Sequence, residues 1–318
     1  MSPKVWGTNR GFGYQEAIPY KHIQPTFIRI DFNPHVLYNL TVIIDFHTHV
    51  FPPQMRENRE HYIGRDPLFA RIYASPKARI ADCENLIAKM DEEGIDRAVV
   101  MNANWSSLEL VQETNDYLLE SIAQYPKRLV GFCSLPPTSD DEKIAELERC
   151  IRAGARGIGE IRPEFQGLDK GDEPVLDPII KIALKHKLML CIHASEPVGH
   201  DYPGKYTFTP EKIYKLILRY PDLTIILAHW GGGLPFYALM PEVKTAMKNT
   251  YIDTSASPYL YTSEIFTHVS QIIGAHKILF GSDFPLMPPS KVLKQIDSVK
   301  LNKKTKELIL HGNAERLL

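Results

Sequence analysis

The chain has 318 residues, 44% of them hydrophobic, with 37 Lys and Arg against 38 Asp and Glu and a formal charge of -1. That balance offers no basic field to a phosphate backbone, and no Lys or Arg cluster stands out, which argues against a nucleic-acid partner. No apolar run approaches the roughly 20 residues that span a bilayer, which argues against a membrane protein.

The N-terminus lacks the charged-then-apolar pattern of a signal peptide. Cys83, Cys133, Cys150 and Cys191 are scattered without Cys-x-x-Cys spacing. Reduced thiols in a cytoplasmic protein are therefore expected. Residues 1–41 mix Gly, Pro, Asn and isolated aromatics (Trp6, Tyr14, Tyr20, Phe27, Phe32) with no sustained period. They read either as an arm packing on a neighbouring subunit or as an irregular extension without a folded role. The second is expected, because the chain from Val42 onward already reads as complete.

From residue 42 to 318 short apolar runs alternate with longer amphipathic stretches. The strand-like runs are Val42–Phe46, Arg97–Met101, Leu129–Ser134, Gly157–Ile161, Met189–His193, Thr224–Ala228, Tyr251–Thr254 and Lys277–Phe280. Between them apolar residues recur at three- and four-residue steps, as in Leu86, Ile87 and Met90 or Ile213, Leu216 and Ile217, which predicts helices. Among these are 82–93, 108–125, 141–153, 178–186, 210–220, 236–248 and 264–273. Eight strands alternating with helices predict a (β/α)₈ TIM barrel. A doubly wound open sheet would favour a Gly-x-Gly-x-x-Gly turn after its first strand, and here that turn holds histidines. The connection from Val50 to Arg79, rich in Pro, Arg and aromatics, is long for such a fold and is expected to contact substrate.

The first strand runs into Asp45, His47 and His49, and alternate side chains of an extended strand share a face. Two imidazoles at that spacing can reach one divalent ion, with Asp45 as a supporting partner; a lone histidine there would read as loop polarity. Other strands end in the same chemistry. Strand four ends at Glu160 and Arg162, strand five at His193, strand six at His229 before Trp230 and three glycines, and strand eight at Asp283. In a closed barrel these ends converge on the C-terminal rim, where active sites of the fold lie.

Five stretches carry a resemblance: Asp45-Phe-His47-Thr-His49, Cys191-Ile-His193-Ala, Ala228-His229-Trp-Gly-Gly-Gly233, Gly281-Ser-Asp283-Phe-Pro285 and Gly312-Asn-Ala-Glu-Arg-Leu317. Together they resemble the amidohydrolase superfamily, and within it the amidohydrolase-related group that includes aminocarboxymuconate-semialdehyde decarboxylase. The resemblance implies that His47, His49, His193 and Asp283 hold a divalent metal, usually zinc. It places His229 beside the metal as a catalytic group and gives Asp283 a second role, taking a proton from the metal's water. Manganese or iron would accept the same ligands. Where many members carry a bridging lysine this chain has Glu160, which could bridge a second metal, bind substrate or His49, or pair with Arg162. One ion is expected ahead of two. Arg162 is open between gripping a substrate carboxylate and forming a rim salt bridge. Trp230 joins it as a candidate at the substrate.

The expected function is hydrolysis of a C–N or C–O bond in a small carboxylate-bearing molecule by metal-activated water. Its alternative is non-oxidative decarboxylation of an aromatic or unsaturated acid. A third reading, a non-catalytic barrel subunit, predicts missing ligands, and none is missing. A homodimer is the default assembly.

Overall fold

The computed structural model describes residues 42–103, 105–135, 141–165 and 176–318; the expectations for residues 1–41 lie outside them. Among the described residues, eight strands form one sheet in chain order, every neighbouring pair parallel. They are β1 Ile44–His49, β2 Arg97–Met101, β3 Leu129–Cys133, β4 Gly157–Ile161, β5 Met189–Ile192, β6 Ile225–Leu227, β7 Thr250–Asp253 and β8 Ile278–Leu279. The sheet closes on itself. Phe46 and His49 donate their backbone N–H groups to the carbonyls of Phe280 and Phe284, both at 2.7 Å, and Asp283 donates to that of His47 at 2.9 Å. The expected TIM barrel is the observed one.

The closure explains the composition of the strands. Ile44 and Phe46, Val99 and Met101, Phe132, Met189 and Cys191, Ile226 and Leu279 form one cluster drawn from six strands. Side chains of non-adjacent strands meet only across a barrel interior, so these fill it. The opposite faces pack under the helices, as Ala98 and Val100 do with Leu118 and Ile122. With both faces buried, the strands read as unbroken apolar runs. The helix Pro210–Arg219 buries Ile213, Leu216 and Ile217, the residues its period singles out. Burying each such side chain contributes on the order of 1.5–3 kcal/mol.

Two segments differ from expectation. The long connection after β1 is not an open loop. It folds as three short helices, Pro53–Glu57, Arg59–Arg65 and Pro67–Tyr73, around a small core that includes Met55, Tyr62, Leu68, Phe69 and Trp105. Asp66 caps the third helix through the N–H groups of Leu68 (2.8 Å) and Phe69 (3.0 Å), and its other oxygen accepts from Ser106. The helix expected over 236–248 is broken into Leu234–Tyr237, Pro241–Ala246 and a 3₁₀ turn, Met247–Asn249. Pro241 has no N–H to continue a helix and holds Met240 extended, at φ -83° and ψ 122°. At the C-terminus, Asn313 donates to the carbonyls of Ala275 (2.7 Å) and Ile278 (2.6 Å), pinning the last helix to β8. No described helix is long and apolar enough to cross a membrane, and all four cysteines are free and buried.

Candidate metal centre

His47 and His49 lie within β1 rather than beyond it, and each ring is anchored through Nδ1. His47 Nδ1 lies 2.8 Å from Asp253 Oδ2 at the end of β7, and His49 Nδ1 lies 3.2 Å from the carbonyl of Met101 in β2. Both anchors are acceptors, so Nδ1 carries the proton and Nε2 presents its lone pair. The two Nε2 atoms face each other at 3.1 Å. Asp283 Oδ1 is 3.3 Å from the Nε2 of His49 and 3.8 Å from that of His47.

Two lone pairs that close repel unless positive charge sits between them. In the bare chain a proton supplies it. Burial opposes a charge on His47, but the Asp253 carboxylate outweighs burial and raises the pKa of His47 well above its ordinary value. A divalent cation supplies the same charge in the same place. Ligands about 2.0–2.2 Å from one ion stand roughly 3–3.6 Å apart; the His47–His49 and His49–Asp283 separations fall in that range, and His47–Asp283, at 3.8 Å, closes by a small movement of the Asp283 carboxylate.

Glu160, fully buried at the end of β4, is the hub of the other half of the site. Its Oε1 lies 2.9 Å from His193 Nδ1, 3.3 Å from His229 Nε2 and 3.9 Å from His47 Nε2. Its Oε2 accepts from Arg162 at 2.6 Å and lies 3.9 Å from His49 Nε2. Burial works against the charge of Glu160, but Arg162 and His193 outweigh it and hold the carboxyl well below its usual range. Burial pulls His193 down to about 4, against the pull of Glu160, so this imidazole is neutral. For His229 burial favours the neutral form too, yet its hydrogen bond with Glu160 and the charge of Asp283 raise its pKa. Asp283 is lowered despite burial, through its hydrogen bond with His49 and the charge of His229.

Of the four expected ligands, the structure brings His47, His49 and Asp283 into one donor group. His193 shares the cavity, but its Nδ1 faces Glu160 and its Nε2 lies 3.2 Å from Ser195 Oγ. His47, Glu160 and His229 form a second donor group on the adjoining side. Arg162 pairs with Glu160 and also lines the cavity, so the pairing and a substrate contact are both open to it.

Asp45 takes a different part from the one expected. The pairing of β1 with β2 slips between Asp45 and Thr48, which interrupts the strict alternation of faces. Asp45 Oδ1 instead accepts the backbone N–H groups of Ser282 (2.9 Å) and His47 (3.2 Å), tying β1 to the segment after β8. Burial raises its pKa to about 7, against those hydrogen bonds. The carboxylate that orients His47 is Asp253. Its position was visible as another polar strand end, Tyr251-Ile-Asp253, by the same criterion that singled out Glu160 and Asp283.

Trp230 does not reach the cavity. It packs edge-on against Phe266, 4.9 Å between ring centroids, and its Nε1 donates to Ser257 Oγ at 2.8 Å. The reason lies in the backbone, since Trp230, Gly231 and Gly232 are all left-handed, with φ between 57° and 60°. Gly232 meets a second demand: a Cβ there would stand 2.5 Å from the carbonyl oxygen of Ser195. The glycines thus let the β6 turn close onto the β5 loop.

Above the donor group opens a cavity of about 480 Å³ lined by His49, Arg162, His193, His229 and Asp283 on its polar side. Its apolar wall includes Ile72, Tyr73, Tyr259, Leu260 and Leu286. The long connection after β1 therefore does line the cavity, as expected of it. His200, on the loop after β5, is exposed and lines it as well.

The sequence profile of the amidohydrolase family matches residues 44–318. The 2-amino-3-carboxymuconate-6-semialdehyde decarboxylase of Dictyostelium discoideum is 27% identical, covering 86% of this chain and 91% of that protein. Solved structures share the fold. The 5-carboxyvanillate decarboxylase of Sphingomonas paucimobilis superposes with a TM-score of 0.70 at 18% identity, covering 87% of this chain and 98% of its own. A dihydroxybenzoic acid decarboxylase of Polaromonas sp. JS666, solved with bound manganese and the inhibitor 2-nitroresorcinol, gives 0.65 at 20% identity, covering 87% and 97%.

Proposed function

Since the chain belongs to the amidohydrolase family, we propose that it is a metal-dependent, non-oxidative decarboxylase of a small aromatic or unsaturated acid. One observation carries the choice over hydrolysis. His229, its pKa raised, lines the cavity beside the donor group, and the decarboxylase of Dictyostelium discoideum is similar over 86% of this chain. Decarboxylation needs a proton for the carbon that loses its carboxylate. Hydrolysis, preferred on the sequence alone, needs first a base for attacking water, a part that would fall to Asp283.

In this reading His47, His49 and Asp283 would hold one divalent cation and His193 would complete the set. Glu160 is kept for His193, His229 and Arg162 rather than for a second ion. The cation is zinc by its nitrogen-and-carboxylate donors, and manganese, as in the Polaromonas neighbour, is the alternative that metal analysis separates. When bound, the ion would supply a Lewis acid beside the substrate carboxylate. The chain's own groups do the rest. Arg162 orients the acid, and Tyr73, Leu260 and Leu286 exclude water from its apolar body. His229 Nε2 delivers a proton to the carbon bearing the carboxylate. The electrons of the breaking C–C bond return to the unsaturated system, and carbon dioxide leaves. Ser255 Oγ, 2.9 Å from His229 Nδ1, keeps that ring in place. A cytoplasmic site of action and a homodimer accompany the reading, the latter checked by light scattering.

The test incubates the metal-loaded protein with a panel of aromatic and unsaturated acids in deuterated and in ¹⁸O-labelled water. Carbon dioxide release with deuterium at the vacated carbon is expected. A product that carries ¹⁸O, without carbon dioxide, would make the protein a hydrolase. No turnover of either kind on acids that bind would favour the non-catalytic barrel.

A further inference from the structure

The loop after β5 lines the cavity with His200, Tyr202, Pro203 and Gly204, and two cations fix its backbone. Lys205 folds the loop on itself, donating to the carbonyls of Val198 (3.0 Å), Gly199 (3.2 Å) and His200 (3.1 Å). Arg71 fastens it from outside. That residue lies in the last turn of the helix Pro67–Tyr73, its side chain half-exposed. It donates through Nε to the carbonyl of Pro203 (3.3 Å) and through Nη2 to that of Lys205 (3.0 Å), and its guanidinium covers the ring of Tyr206 at 4.4 Å. Its Nη1 stands 4.0 Å from Glu164 Oε2, and the other oxygen of Glu164 accepts the backbone N–H of Thr207. One side chain therefore joins the connections after β1, β4 and β5.

Tyr206 passes the constraint inward. Its buried ring meets His193 edge-on, with 5.1 Å between centroids, and its centroid stands 5.7 Å from the Arg162 guanidinium. Its backbone N–H donates to Ser195 Oγ (3.0 Å), which lies 3.2 Å from His193 Nε2. The ring and the loop backbone thus connect Arg71 to both His193 and Arg162. A planar guanidinium can make two parallel hydrogen bonds and stack on an aromatic face at once, which an ammonium cannot.

We propose that Arg71 is a positioning residue: by clamping Tyr206 it holds His193 and Arg162 in the orientation in which they meet the cation and the acid. This deepens the decarboxylase reading and rests on it for what those two residues do; that the clamp orients them is a statement about geometry.

Arg71→Ala and Arg71→Lys test it without turnover. In crystals of the alanine variant the Tyr206 ring is expected to leave its place beside His193; a ring within about 0.5 Å of that place would overturn the proposal. Calorimetry of the metal-loaded protein with benzoate is expected to show binding about tenfold weaker in the alanine variant, on the order of 1.4 kcal/mol. Lysine keeps the charge and loses the fork, so Arg71→Lys should stay closer to alanine than to arginine. Full affinity in the lysine variant would make Arg71 a remote charge and overturn the clamp. A lowered melting temperature in both variants with benzoate affinity unchanged would do the same, as the mark of a contact that only stabilises the loop. If benzoate binds neither form, the crystallographic result decides alone. The expected losses in a protein that releases no carbon dioxide from any acid would keep the clamp and sink the decarboxylase reading.

Discussion

Replacing Asp253 with Asn should weaken the metal about 10- to 100-fold, or about 1.4–2.7 kcal/mol, while leaving the barrel folded. Asp253 is fully buried, with Oδ2 at 2.8 Å from His47 Nδ1. Its Oδ1 accepts the backbone N–H groups of Ser255 (3.0 Å) and His229 (3.2 Å) and the hydroxyl of Ser255. An asparagine keeps one acceptor. Its oxygen belongs with the N–H groups of His229 and Ser255, so the amide NH₂ meets His47 Nδ1. That nitrogen must then accept, and the ring proton moves to Nε2, the atom facing His49 and the cation. The cation has to reverse that tautomer and forgo a charge-assisted hydrogen bond worth about 1.5–3 kcal/mol, which matches the loss given above. Competition with a chromophoric chelator at fixed pH measures it, with thermal unfolding as the control for fold. A variant that holds metal within about twofold of the unaltered protein would refute the role given to Asp253 and the assignment of His47 Nε2 as a ligand.

The proton that His47 holds against His49 must leave when metal enters, because both occupy one place. Its pKa is raised above 6.5, so metal affinity should climb with pH above that value and binding should release a proton, measured as buffer-dependent heat. Glu146 accepts from Asn115 (2.9 Å) and, at 2.8 Å each, from Arg149 Nε and Nη2, and its pKa is lowered, mainly by Arg149 acting against burial. Its contribution to stability is therefore full above 4.5, its ordinary value, and is lost as pH falls below it. Glu146→Gln should cost about 1–3 kcal/mol in urea unfolding at neutral pH and progressively less in acid. Gly232→Ala should destabilise by about 1–3 kcal/mol, since the residue is left-handed and its Cβ would strike the Ser195 carbonyl; an unchanged melting temperature would contradict the close approach.

The barrel was legible because both faces of every strand are buried, leaving continuous apolar runs bounded by turns. The strand ends were legible for the opposite reason, as isolated charge after an apolar run has few structural uses. Pairing between particular side chains was not. That Asp253 rather than Asp45 holds His47 depends on a one-residue slip in β1, which no periodicity records. Trp230 was misplaced because a run of left-handed residues from His229 to Gly233 sends it to the core, and the glycines beside it admit that turn and a ligand approach alike. The broken helix at Pro241 was in plain view, as the apolar period over 236–248 masked a residue that cannot continue it.

The central claim, that His47, His49 and Asp283 hold one divalent cation, is tested most directly by anomalous diffraction at a metal edge from crystals of the metal-loaded protein. The account predicts a single peak about 2.0–2.3 Å from His47 Nε2, His49 Nε2 and Asp283 Oδ1. A cavity without a peak, or a peak bound away from these three atoms, would contradict it.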